Sequence, residues 1–180
     1  MYNPTRKCKH IVYLLIYYGF LRYLPYNFIP VIGKLCRKLR YACCKRIFKS
    51  CGKNVNIERM AYFVDGSGIV VGDNSDLGIN CHIPENTVIG SNVLMTPNVF
   101  ILNRNHRFDR TDIPMNHQGL TEKKVTTIGD DVWIGRDVLM TPGRTIKTGT
   151  IIAAGCVLCK DFPEYSIVGG NPAKLIQSRK

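Results

Sequence analysis

At 180 residues the chain suits one domain with a substantial core rather than several domains. Its net charge of +12 lies wholly in the first 53 positions, which hold 12 Lys and Arg and no Asp or Glu; positions 54–180 hold 13 of each sign. The N-terminal segment therefore has an anionic partner or a packing role of its own, and no helix-turn-helix, zinc-finger or aromatic RNA-binding signature accompanies it, so nucleic acid is not expected.

In chain order, the first feature is an uncharged apolar stretch of 11 residues, Ile11–Leu21, stopped by Arg22 and followed by Pro25 and Pro30. A bilayer span needs about 20 such residues, and no small-x-small cleavage site follows, so a cytoplasmic protein is expected. Residues 34–49, KLCRKLRYACCKRIFK, read as a basic amphipathic helix. Leu35, Leu39, Ala42, Cys43 and Ile47 fall near one face, with Lys34, Arg37, Lys38, Lys45 and Lys49 on the other. Such a helix can cap the open end of a repeat structure or make peripheral contact with an anionic membrane, and both can hold at once.

From Val71 the chain runs in sixes: VGDNSD, LGINCH, IPENTV, IGSNVL, MTPNVF, ILNRNH. It resumes at Ile128 with IGDDVW, IGRDVL, MTPGRT, IKTGTI, IAAGCV and LCKDFP. Each of these twelve units opens with Ile, Leu, Val or Met; the second position is mostly small and the fifth often small or β-branched. A weaker pair, IERMAY and FVDGSG, precedes them with a two-residue slip. Six is a poor period for an α-helix, but it suits short strands joined by tight turns, each pointing one large aliphatic inward. Stacked, such units bury a core that none could form alone. The expectation is an all-β parallel β-helix over 54–163, between a basic helical segment, 1–53, and a C-terminal extension, 164–180.

The repeat breaks at residues 103–127. A rigid solenoid displays function on such insertions, and His106 is the last residue before the chain departs. A hydroxyl acceptor needs a base aligned with its proton, and imidazole, with a pKa of about 6.5, suits that task. His117, Asp109, Asp112 and Glu122 share the loop, and spacing does not choose which carboxylate orients His106. His10 lies in the basic leader and His82 ends a hexad. The eight cysteines include one Cys156-x-x-Cys159 pair with no second pair to complete a zinc site, so free thiols and no metal are expected.

The hexads, the NRNH before the loop, the IGDDVWIG restart and the ending AAGCVLCKDFPEYSIVGGNPAKLI together resemble the hexapeptide-repeat acyltransferases. The pattern is most similar to maltose, galactoside and surface-polysaccharide O-acetyltransferases, over roughly Val55 to Ile176. The resemblance implies a left-handed triangular β-helix with three hexads per coil, a homotrimer, and acetyl-CoA in a groove between subunits. It implies acetyl transfer to a sugar-like hydroxyl with His106 as general base, and Asn80 and Trp133 at the acceptor; His117, by its place in the same loop, is a further candidate for acceptor binding. It implies contact of Trp133, Gly135, Ala154, Cys159, Lys160 and Lys174 with the cofactor; Cys159 stands where many relatives carry threonine. Simpler readings stand beside these: a turn asparagine at 80, plain packing at Trp133, and solvated lysines at 160 and 174. The same scaffold could acetylate serine or a xenobiotic alcohol, act as a γ-type carbonic anhydrase, or bind a partner without catalysis.

Overall fold

An aliphatic side chain every sixth residue requires a strand at that interval, and the computed structural model, which describes residues 4–180, has one. The first three positions of the basic leader lie outside the described residues. The strands wind into a left-handed parallel β-helix of about 6 turns with three faces. The first face stacks β1 (Ser50–Cys51), β3 (Val70–Val71), β5 (Val88–Ile89), β8 (Thr127–Ile128) and β11 (Thr145–Ile146). The second stacks β2 (Asn56–Ile57), β4 (Asp76–Leu77), β6 (Leu94–Met95), β9 (Trp133–Ile134), β12 (Ile151–Ile152) and β14 (Ser166–Gly169). On the third, single bridges at Tyr62 and His82 precede β7 (Phe100–Ile101), β10 (Leu139–Met140) and β13 (Val157–Leu158).

Val70 lies opposite Val88, so three hexads close one coil. Pairings that span the slip or the insertion depart from that interval, Asn56 with Asp76 and Leu94 with Trp133 among them, and Ile151 with Ile167 closes two residues short. Ser50 faces Val70, two residues further on than a regular coil, which is the slip visible in the sequence. Val88 faces Thr127, because the insertion lies between them. All twelve hexad-opening aliphatics, Val71 through Leu158, are at most 4% exposed and form the core. The fourth hexad position carries a further signal that the sequence reading did not use. Asn74, Asn80, Asn92, Asn98, Asp131 and Asp137 turn the corners with φ between 54 and 62°, a left-handed conformation that Asn, Asp and Gly tolerate best.

Two helices, α1 (Pro4–Gly19) and α2 (Ile32–Ile47), pack on the N-terminal end of this frame. The Tyr17 hydroxyl donates to the Ala61 carbonyl at 2.9 Å, and its ring sits 4.6 Å from that of Phe63. The core face expected for α2 needs correction. Gly33, Cys36, Arg40, Cys43, Cys44 and Ile47 are buried, while Leu35, Leu39 and Ala42 face water. The helix is turned so that the Arg40 guanidinium reaches three carbonyls, Ile57 at 2.6 Å, Pro25 at 3.0 Å and Leu24 at 3.2 Å. At the other end, β15 (Lys174–Ser178) folds back antiparallel on β14.

Candidate active site

The insertion is anchored at its base. Lys124 N–H donates to Asn103 O at 2.7 Å, Thr121 N–H to Asn105 O at 2.8 Å and Arg107 N–H to Gly119 O at 3.0 Å. His106 pairs antiparallel with Leu120 inside this short ladder. Glu85, one coil below Asn103, ties both feet of the loop. It accepts from Asn103 Nδ2 at 3.2 Å and from Lys123 Nζ, and the Lys123 ammonium holds its carboxyl below the ordinary value. His106 thus has an exposed side chain on a fixed backbone. Beside it opens a hollow of about 420 Å³ lined by Arg107, Phe108, Asp109, Leu120, Thr121 and Glu122. Asp109 is bonded to Arg107 and Asp112 to Arg110, and each arginine holds its partner carboxyl below the usual range. Glu122 is left lining the hollow. His117 is exposed further along, in the single turn Met115–His117.

The other expected site residues lie elsewhere on the prism. Asn80 turns the edge between the second and third faces, and its Nδ2 donates to Asn98 Oδ1 at 3.1 Å. Asn98 in turn donates to Asp137 at 2.7 Å, so Asn80 begins a ladder of turn residues. Trp133 stands on the second face between Leu94 and Ile151 and is 48% exposed, which is not the packing of a core residue. Gly135 and Ala154 lie at the same edge as Asn80. A Cβ on Gly135 would meet the Ala154 nitrogen at 2.5 Å, so close stacking of coils requires glycine there whatever binds outside. Ala154 itself is exposed. Cys159 and Lys160 are exposed at the edge between the third and first faces, the edge from which the His106 loop departs. Lys174 opens β15, exposed, beyond the second face.

Within one chain the predicted residues therefore form two groups. His106, Cys159 and Lys160 belong to one edge; Asn80, Gly135, Ala154 and Trp133 belong to another edge and its adjoining face. The third face separates them. There His82 stacks between Tyr62 and Phe100, with ring centroids at 5.3 and 4.6 Å, and burial pushes its pKa down. Burial pushes the Cys81 thiol up to about 12 and those of Cys43 and half-buried Cys51 to about 11, which makes these three poor nucleophiles. Cys156 points inward and Cys159 outward, so that pair does not converge.

No protein-family model matches the chain. Galactoside O-acetyltransferase of Escherichia coli K12 is 33% identical to it over 144 residues, 77% of this chain and 68% of that one. A maltose O-acetyltransferase structure from Clostridium difficile 630 aligns with a TM-score of 0.75 at 27% identity, covering 99% of this chain and 90% of that one. A hexapeptide-repeat acetyltransferase from Vibrio cholerae O1 biovar eltor, complexed with acetyl coenzyme A, aligns at 0.72 and 25% identity over 97% and 87%. The chain belongs to the hexapeptide-repeat acetyltransferases. As a hexapeptide-repeat acetyltransferase it is an acyltransferase built on a rigid prism. The features distinguishing this acetyltransferase from a bare solenoid are the anchored loop at His106 and the open aromatic at Trp133. Glu85 is the residue that sequence reasoning missed; its signal was a carboxylate one coil before the loop, which only the coil interval of the fold makes meaningful.

Proposed function

We propose that the chain is an acetyl-CoA-dependent O-acetyltransferase that moves an acetyl group to a hydroxyl of a sugar or surface-polysaccharide precursor, with His106 as general base. The observation that carries this reading is the exposed imidazole held by a backbone ladder beside an open hollow. As the acceptor oxygen attacks the thioester carbonyl carbon, His106 takes the hydroxyl proton. The carbon–sulfur bond of the tetrahedral intermediate then breaks, and the imidazolium returns the proton to the leaving thiolate, giving the acetyl ester and free CoA. No covalent enzyme intermediate is needed, in keeping with raised thiol pKa values in the core. The two separated groups of residues favour a homotrimer in which the His106 edge of one subunit meets the Trp133 face of the next. In that groove Trp133, Ala154, Cys159, Lys160 and Lys174 would meet acetyl-CoA, and Asn80 the acceptor.

Free-thiol release with acetyl-CoA and a panel of sugars, serine and xenobiotic alcohols tests the reading. His106→Ala should lower kcat by about 10²–10⁴ while leaving the KM for acetyl-CoA near its starting value. Transfer by that variant at the wild-type rate removes His106 from the mechanism. Turnover of only the non-sugar hydroxyls keeps the chemistry and replaces the acceptor.

A further inference from the structure

The helical cap leaves much apolar surface in water. Twelve of the twenty-three large hydrophobic side chains exposed among the described residues fall between Ile11 and Leu39. On α1, Tyr13, Leu14, Tyr17 and Tyr18 pack inward, and Ile11, Val12, Leu15 and Ile16 occupy the opposite side. At the tip between the helices Phe28 is 70% and Val31 91% exposed. Val31 also has a φ of 63°, an unfavourable conformation for a β-branched residue. On α2, Leu35, Leu39 and Cys43 form an i, i+4 row, and the Cys43 thiol reaches the Tyr13 carbonyl at 3.4 Å. That contact packs α1 against the buried end of this row, and each helix keeps an exposed apolar stripe of its own.

Exposed lysines frame these stripes, among them Lys9, Lys34, Lys38 and Lys45. Among the described residues up to position 53, the one ion pair is that of buried Arg40 with Glu58. The framing charges are therefore uncompensated within the chain.

We propose that this cap is a membrane-docking surface: its apolar stripes enter the headgroup–acyl boundary, and its lysines bind anionic lipid headgroups. No helix among the described residues is long and apolar enough to cross a membrane, so the cap lies on the bilayer. A nucleic acid would use the lysines and leave the Ile, Leu and Val side chains in water. A second copy of the cap would cover the apolar stripes but bring two uncompensated sets of lysines together. An anionic bilayer satisfies both features. The inference concerns binding alone and stands apart from the identity of the acetyl acceptor.

Vesicle co-sedimentation of the full-length protein tests it, with phosphatidylcholine alone against phosphatidylcholine carrying about 30% phosphatidylglycerol. Binding should be at least about tenfold stronger to the anionic vesicles, and the double variant Leu15→Glu, Val31→Asp should lose at least about tenfold of it. Sedimentation velocity and thermal melting should report the same oligomer and Tm for variant and wild type. Equal binding to both vesicle types, or equal binding by variant and wild type, overturns the proposal. So does a variant that loses its oligomeric state, which makes the stripes a subunit contact. Absence of vesicle binding alongside tight binding of a single-stranded oligonucleotide overturns it as well.

Discussion

Arg40 is fully buried in a helix whose sequence offers a leucine face instead. Its guanidinium joins the turn after α1, through Leu24 and Pro25, to the first coil, through Ile57, and lies 3.7 Å from Glu58. Asn56 donates to the same carboxylate at 3.1 Å, so the charges lie within a polar network under the cap. Removing one partner of such a pair leaves the other buried without compensation. Arg40→Ala should lower stability by about 3–5 kcal/mol, read as a drop in the urea midpoint of the helical circular dichroism. Glu58→Gln, which keeps an acceptor in place, should lower it less. A loss under about 1 kcal/mol for Arg40→Ala would sink its role as the tie between cap and coil. The hexad-opening aliphatics could be read from sequence because a strict period repeats the same demand twelve times. Arg40 could not, because its partners are carbonyls brought from positions 24, 25 and 57 by the fold.

The insertion shows the same division for an element. Its existence was legible, since a solenoid pattern that breaks and restarts at Ile128 must place the intervening residues outside the coil; but the coil ends at Leu102, and His106, expected as its last residue, already lies in the ladder of the insertion. The anchored base was not legible, because pairs such as Asn103 with Lys124 have no period to announce them. The rotation of α2 escaped for a related reason: two rows of apolar residues compete, and the row that is buried follows Arg40. Glu85 holds the two feet of the loop without touching its tip. Glu85→Ala should therefore lower kcat by about tenfold through misplacement of His106, while Tm, a property of the coils, shifts little. Steady-state kinetics with a melting curve separates the two effects. An unchanged kcat would show that the backbone ladder alone positions the imidazole, and a collapsed Tm would make Glu85 a structural residue.

For the whole molecule, the six-residue period dictates stacked coils but is silent about their hand and about what the prism stands against. The resemblance supplied the left hand, and the comparisons agree with it. The distribution of side chains bears on assembly more directly. His106 and Asn80 flank the third face from opposite edges, while Trp133 lies open on the second face. In the proposed homotrimer a site using all three would draw on two subunits, and mixed assemblies can test this. Asn80→Gly keeps the left-handed turn and removes only the amide, and His106→Ala removes only the base. Each variant alone should be nearly inactive. In an equal, random mixture one groove in four joins an intact His106 to an intact Asn80, so activity should return to about a quarter of wild type. If both residues served the same groove from one chain, every groove would carry one lesion and the mixture would stay inactive. The recovered fraction thus reports directly whether this acetyltransferase builds its site within a subunit or between two.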